Sequence, residues 1–189
     1  IEAAQNSKYV SRTVVSSDDK EIIEVAKKCK VDTIERPVEL ATDEASSEDA
    51  IMHVLDTLES DNYIPDYVML LQPTSPLRDC IDVDSVVELL LGNSSAELCK
   101  SVCEIDNKFL KTFIFDDDKF IIGAVNNEYP YMPRQILPQA FLPNGAIYMI
   151  KTEAFKRAGS FISNRTLPYI MPLDKSVDID TQDDFDIAE

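Results

Sequence analysis

Residues 67–78 (YVMLLQPTSPLR) join a run of apolar residues to a stiff polar loop. The apolar run 67–71 follows a polar turn, and a short run bounded by turn residues is typical of a strand buried on both faces. Pro73 and Pro76 end the strand, because proline donates no ladder hydrogen bond and disfavours the helical conformation in the residue before it. In open α/β sheets ligands bind at the carboxyl ends of strands, so this loop is either a binding site or a rigid connector. Its polar side chains belong to Gln72, Thr74, Ser75 and Arg78.

Composition limits the kinds of partner that the chain can have. It has 189 residues, 44% hydrophobic and 28% charged, which suits one globular domain spanning residues 1–189. Its 35 acidic and 18 basic residues give a net charge of −17. This excess disfavours nucleic acid and anionic membranes, although a few arginines with a divalent cation still allow a small anionic ligand.

The chain shows no membrane-spanning apolar run and no signal peptide. Its four cysteines form no CxxC motif, and His53 is the only histidine beside them. A zinc site and a disulfide framework are therefore disfavoured, and the cysteines indicate a reducing cytoplasm.

Strands and helices alternate through the first half of the chain. Short β-branched runs at 12–16 and 31–34, and then the run 67–71, are each followed by helical spacing of apolar residues. This order predicts an α/β fold with a mainly parallel sheet flanked by helices. The first helix carries its apolar side chains on one face, made of Ile22, Val25, Ala26 and Cys29.

The pattern changes after residue 97. Two apolar runs flank the acidic turn 116–119 and predict a hairpin. The stretch 126–139 is long, irregular and rich in proline, tyrosine and arginine, as is typical of a functional loop or lid. A further strand at 146–150, a helix at 152–158, a last strand at 169–171 and a terminal helix after Thr181 complete the prediction.

The sequence SVDID (176–180) is the sharpest candidate for chemistry. Asp178 and Asp180 are two apart, so in an extended segment their carboxylates point to the same side. Such a pair favours Mg²⁺, which prefers one or two carboxylates together with substrate phosphates. The other interpretation is that these acidic residues only cap the helix that follows.

Isolated cations and one turn form a second set of candidates. The cations lie beside predicted strand ends and are either anion clamps or partners in surface salt bridges: Arg36, Arg78, Lys111 and Arg134. Asn144-Gly145 is either a plain turn or a place where the backbone approaches a ligand, with Tyr148 at the wall. On these residues alone, the chain is an α/β domain with candidate sites for Mg²⁺ and a small anion.

Five segments together resemble the acylneuraminate cytidylyltransferases, also called CMP-sialic acid synthetases. In order they are VVSSDD (14–19), RPVELATDEASS (36–47), LLQPTSPLR (70–78), PRQILPQAFLPNGAIY (133–148) and SVDIDTQDDF (176–185). The resemblance implies a nucleotide-diphospho-sugar-transferase-like fold, a Rossmann-like arrangement of three layers. It also implies a homodimer in which an excursion at about 104–140 reaches the partner subunit. The implied reaction joins CTP to a nine-carbon 2-keto sugar acid, sialic acid or an analogue, giving the CMP-sugar and pyrophosphate with the help of Mg²⁺.

The resemblance also implies roles for individual residues. Asp178 and Asp180 match the metal ligands at the catalytic centre. Nucleotide-contacting positions are matched by Arg36, Ala45 and Ser47. Positions of the sugar-acid pocket are matched by Gln72, Lys111, Arg134, Tyr148 and Phe161.

Departures from the family pattern leave the sugar and the completeness of the site open. The phosphate-binding loop at the family's amino end is absent, and the chain starts at Ile1 rather than Met, so we expect that segment upstream. Leu142 and Ile162 stand where some members have an arginine and a second aromatic residue. Legionaminic and pseudaminic acid enzymes share much of the pattern. A non-catalytic domain that lost its phosphate loop is the alternative from another class.

Overall fold

The computed structural model describes residues 1–42 and 44–188 of the chain. Its helices are α1 (Glu2–Gln5), α2 (Lys20–Lys28), α3 (Ser47–Ser60), α4 (Cys80–Leu91), α5 (Thr152–Ala158) and α6 (Gln182–Ala188). Its strands are β1 (Val14–Ser17), β2 (Asp32–Glu35), β3 (Tyr67–Leu70), β4 (Leu98–Ile105), β5 (Phe113–Phe115), β6 (Ile121–Gly123), β7 (Ala140–Lys151) and β8 (Thr166–Ile170).

The central sheet has four strands in the order β3-β7-β4-β8. Strand β7 is antiparallel to both of its neighbours, whereas β4 and β8 pair in parallel, so β3, β4 and β8 share one direction. Strands β1 and β2 form a separate parallel pair. The predicted α/β class with mostly parallel strands is confirmed, and β7 is the antiparallel exception.

Helices cover both faces of the central sheet and make the fold three layers thick. On one face Val83, Val86 and Leu90 of α4 pack against Cys99 and Met149. The neighbouring residues on the same strands point the other way and pack against α3 and α5 through Leu55, Phe155, Leu98 and Ile150. The alternation of sides along β4 and β7 is what divides the core into two clusters.

Strand β7 carries a large bulge opposite β4. Lys100 pairs with Tyr148 but Val102 pairs with Pro143, so the four residues 144–147 of β7 stand opposite the single Ser101. The buried Ser101 hydroxyl closes the gap, because its Oγ accepts from Ile147 N at 2.7 Å and donates to Ile147 O at 3.1 Å. The bulge therefore brings Asn144 and Gly145 out of the regular ladder at a fixed place.

Two predictions of burial were wrong in degree. The run 67–71 was expected to be buried on both faces, but Tyr67–Leu70 is half-buried throughout. In α2 only Ala26 is buried, while Ile22 and Val25 are more than half exposed. Helix α2 packs mainly on β1 and β2, and two short strands offer too little surface to cover its whole apolar face.

The predicted excursion is a separate lobe of irregular structure. Strands β5 and β6 form the expected antiparallel hairpin, and short 3₁₀ turns at Asn107–Lys111, Tyr129–Tyr131 and Arg134–Ile136 surround it. No residue from 104 to 136 is buried, so the lobe has no core of its own.

The four cysteines of the chain are free thiols. Cys99 and Cys103 are buried on β4, and burial raises the pKa of the Cys99 thiol to about 11. Among the described residues, no helix combines the length and the apolar character that crossing a membrane requires.

Candidate active site

The loop after β3 is braced from within by Arg78. Its Nη1 donates to the carbonyl oxygens of Gln72 at 2.6 Å and of Ser75 at 2.7 Å. Burial lowers the pKa of this guanidinium, which is consistent with its position under the loop. Arg78 is thus a support of the loop through its Nη1.

Three segments of the chain converge on Gly145. A Cβ on this residue would lie 2.9 Å from Gln72 Oε1, 3.2 Å from Asp178 Oδ2 and 3.2 Å from Ser75 Oγ. The backbone of Gly145 has a φ of +74°, a conformation that side chains disfavour. The geometry therefore brings together Gln72, Asp178 and the Asn-Gly turn.

Asn144 connects the same three segments through hydrogen bonds. Its side chain is buried, and Nδ2 donates to Ser176 Oγ at 2.9 Å. The backbone carbonyl oxygen of Asn144 accepts from Ser75 Oγ at 3.2 Å. Beside it, Ile179 N donates to Thr74 O at 2.8 Å. The sequence shows Asn144 only as half of a turn, because Ser176, which binds its side-chain amide, and Ser75, which binds its backbone carbonyl, lie 32 and 69 residues away.

Asp178 and Asp180 are exposed on either side of the half-buried Ile179. Within residues 1–42 and 44–188 neither carboxylate accepts a hydrogen bond or forms an ion pair, so both remain free for a ligand. No group of three or more potential metal ligands occurs in that part of the chain. Two free carboxylates whose remaining ligands come from substrate fit Mg²⁺. Asp184 is different, because its Oδ2 accepts from Thr181 N and Oγ1 at the start of α6, where it acts as a cap.

Tyr148 forms the wall beside these carboxylates. Burial raises the pKa of its phenol, and the nearby charges of Asp178 and Glu48 raise it further. Its ring lies 5.7 Å from that of Phe161 and 5.3 Å from Lys100 Nζ. Phe161 is buried behind Tyr148 in the core, so it supports the wall from the inside.

The predicted nucleotide-contacting residues lie at two places. Arg36, just after β2, donates from Nη2 to Ser16 O at 2.6 Å and from Nε to Ser16 Oγ at 3.3 Å. Ser47 is the first residue of α3, directly after the cap Ser46, and Ala45 precedes that cap. The charge of Glu48, in the first turn of α3, adds to the burial that raises the pKa of Tyr148. No hydrogen bond among the described residues links Arg36 to Gln72, Ser75, Gly145 or Asp178, which we call the Gly145 cluster.

Lys111 and Arg134 lie in the excursion, away from the Gly145 cluster. Lys111 Nζ donates to Met132 O at 2.8 Å. Arg134 pairs with Asp106 at 3.1 Å and lines an open polar cleft with Glu104 and Gln139. In the described part of the chain, no hydrogen bond or ion pair joins either cation to Gln72.

Known proteins resemble this chain in both sequence and fold. The N-acylneuraminate cytidylyltransferase of Escherichia coli is 32% identical over all of the chain. The chain spans 43% of that relative, less than half its length. The pseudaminic acid cytidylyltransferase of Campylobacter jejuni is 30% identical, over all of this chain and 81% of its own.

A solved structure confirms the fold class. The CMP:2-keto-3-deoxy-manno-octonic acid synthetase complexed with CTP superposes with a TM-score of 0.68 and 13% identity, over 99% of this chain and 83% of that one. A family model described as cytidylyltransferase matches residues 1–158. With the five ordered motifs and the site around Gly145, these matches show that the chain belongs to the cytidylyltransferase family.

Proposed function

We propose that this protein transfers the cytidylyl group of CTP to a nine-carbon 2-keto sugar acid of the sialic acid type. The anomeric hydroxyl of the sugar attacks the α-phosphorus, the bond to the β-phosphate oxygen breaks, and pyrophosphate leaves as the hydroxyl proton is released. The observation that carries this proposal is the convergence of Gln72, Ser75 and Asp178 around Gly145. Names of relatives that act on neuraminic and pseudaminic acids support the choice of sugar class.

Asp178 and Asp180 would hold Mg²⁺, and their freedom from other partners supports this assignment. When bound, the ion would offset the negative charge of the phosphates. The carboxylates are kept in place by the bond from Ile179 N to Thr74 O, which lies between them. Positioning of this kind accounts for much of the catalysis in phosphoryl transfer.

The remaining residues would bind the two substrates. Gln72 presents its amide beside Gly145 and suits the hydroxyls of a sugar, while Tyr148, backed by Phe161, bounds that pocket. Arg36, Ala45 and Ser47 would contact the nucleotide. Leu142 and Ile162 are exposed, and their apolar side chains would make the sugar pocket less polar than in relatives with an arginine or a second aromatic there.

The protein would act as a cytoplasmic homodimer in which residues 1–189 form one domain. The excursion supports this, because it presents large exposed apolar side chains to solvent, among them Phe115, Phe120 and Tyr131. Contact through the excursion would also carry Lys111 and Arg134 toward the partner's site, where two cations suit the sugar carboxylate. The four free thiols support a reducing compartment.

The test is pyrophosphate release by the complete gene product with CTP, Mg²⁺ and a panel of sugar acids. We expect kcat/KM for N-acetylneuraminic, legionaminic or pseudaminic acid to exceed that for an eight-carbon 2-keto acid by at least about tenfold. Equal rates with the eight-carbon acid, or no release with any sugar, would contradict the proposal.

Asp178→Asn tests the metal assignment within the same assay. We expect turnover to fall by about a thousandfold while the melting temperature stays unchanged, because the exposed carboxylate stabilises no other part of the chain. Asp183→Asn is the matched control, since Asp183 is also exposed and lies five residues further along. Near-normal turnover of Asp178→Asn would remove Asp178 from the metal site.

A further inference from the structure

Lys175 joins the acidic segment to the start of α4. Its Nζ lies 2.7 Å from Asp79 Oδ2 and 3.2 Å from Asp82 Oδ2. Asp79 caps α4 by accepting from Ile81 N and Asp82 N, and Asp82 accepts from Asp79 N in return. The ammonium therefore contacts both members of a reciprocal cap.

The carboxylate of Asp82 makes this contact more than an ordinary surface ion pair. Asp82 is only 3% exposed, and its other oxygen accepts from Tyr169 OH at 2.9 Å. Exposed pairs contribute little, but a buried carboxylate that loses its cation is left with a large desolvation cost. The Asp82 end of the bridge is thus held at a buried place on α4.

The helix itself does not require a cation at this position. Positive charge at a helix amino terminus is unfavourable for the helix dipole, and the two aspartates already satisfy the first amides. Lys175 instead connects α4 with the segment that leads to Asp178. It stands three residues before Asp178, and α4 begins directly after the loop that carries Gln72.

Three anchors fix the segment on which Asp178 lies. Lys175 is held at α4, Ser176 Oγ accepts from Asn144 Nδ2 at 2.9 Å, and Ile179 N donates to Thr74 O at 2.8 Å. The last two anchors are single neutral hydrogen bonds, whereas the first is a cation shared by two carboxylates. It is the strongest of the three.

We propose that Lys175 is a positioning residue for metal binding, which it serves by fixing Asp178 relative to the loop after β3. The proposal rests on the proposed function for the identity of the metal site. Lys175 would act through this segment, since its Nζ is held by Asp79 and Asp82. Its loss lets the segment 176–180 move away from Thr74, so the two carboxylates no longer face the substrate in a fixed position.

Lys175→Met in the complete gene product tests this with two readouts. We expect amide hydrogen exchange at Ile179 to accelerate by about tenfold or more, because its bond to Thr74 O opens more often. We also expect the Mg²⁺ concentration for half-maximal activity to rise by about tenfold, with KM for CTP within about twofold of wild type. Lys175→Arg restores both, since a guanidinium can bridge the same two carboxylates.

Lys156→Met is the matched control. The Lys156 side chain is 33% exposed and pairs with Glu59, against 34% for Lys175, but it lies on α5. It should change neither readout. If Lys175→Met does not fold, Asp79→Asn keeps the capping oxygen, removes one charge from the bridge and should shift both readouts in the same direction.

The outcomes separate this proposal from the function. Unchanged exchange and an unchanged Mg²⁺ requirement in Lys175→Met overturn it, as does an equal effect of Lys156→Met. If the wild-type protein releases no pyrophosphate but exchange at Ile179 is still faster in Lys175→Met, the positional role is supported and the proposed function is rejected, because exchange requires no turnover.

Discussion

At the scale of single residues, Gly145 combines a backbone requirement with a requirement for space. Its positive φ disfavours any side chain, and the point where a Cβ would lie is already surrounded by Gln72, Ser75 and Asp178. Gly159 shares the first requirement, with a φ of +64°, but has no atom within 4 Å of its Cβ position. Substituting each glycine therefore distinguishes the cost of backbone strain, which both positions share, from the cost of crowding, which only Gly145 has.

Gly145→Ala should lower the free energy of unfolding by more than Gly159→Ala does. The backbone cost alone is about 1–2 kcal/mol for each, and only Gly145→Ala also pushes Gln72 aside. We expect kcat/KM to fall by at least about a hundredfold in Gly145→Ala and to stay unchanged in Gly159→Ala. Urea denaturation and the pyrophosphate assay measure the two effects, and equal activity of both variants would show that crowding at Gly145 is harmless.

At the scale of elements, α4 begins with a cap that is also charged. The hydrogen bond from Lys175 is the largest influence that holds the pKa of Asp79 below its usual range, and the amides of Asp82 and Ile81 add to it. The same contact holds the pKa of Lys175 above its usual range. The stability of this helix start is thus linked to pH.

Asp79→Ala should cost about 1–2 kcal/mol of unfolding free energy at neutral pH, as lost caps do. Because the folded-state pKa of Asp79 is depressed, its contribution is fully present above the unfolded value of about 4 and is lost as the pH falls through the folded value. The difference between wild type and Asp79→Ala should therefore shrink below about pH 4. Denaturation at a series of pH values measures it.

Asp19→Ala provides the baseline for that experiment. Asp19 caps α2 by the same pattern, accepting from Glu21 N and Ile22 N, with no lysine on its carboxylate in the described part of the chain. If the difference in unfolding free energy between wild type and Asp79→Ala stays constant down to pH 3, the ion pair adds nothing to the cap.

At the scale of the whole molecule, the excursion exposes a run of large apolar side chains. Its side chains include Phe109, Phe113, Ile114, Phe115, Phe120, Ile121 and Tyr131, all exposed. Contiguous apolar surface of this kind marks interaction sites in stable proteins. The lobe has no buried residue from 104 to 136, so a partner would supply the core that it lacks.

Phe115→Asp should convert the proposed dimer to a monomer, since a carboxylate in an apolar contact is left unpaired. Sedimentation equilibrium of the complete gene product at about 10 μM measures the mass. Ile64→Asp is the control, because Ile64 is exposed to 68% against 75% for Phe115 and lies outside the excursion. A wild-type protein that sediments as a monomer would contradict the dimer.

Local patterns predicted the elements, while contacts distant in sequence decided the site. The strand and loop at 67–78 were predictable because apolar runs and prolines act on their own neighbours. The exposure of Ile22 was not, since burial depends on how much sheet lies opposite. The bulge of β7 and the bridge of Lys175 depend on partners 46 and up to 96 residues away, which no local signal records.

The bulge opposite Ser101 makes the length of β7 as important as its composition. Four residues must fit between Pro143 and Tyr148, and the two ladders on either side have fixed registers. Deleting or inserting one residue there would turn the side chains beyond it to the opposite face of the sheet. Met149 and Ile150 would then each point into the cluster that the other now occupies. Substitutions can therefore accumulate in this strand during evolution, whereas a gap of one codon in the same place would cost both the core and the pocket.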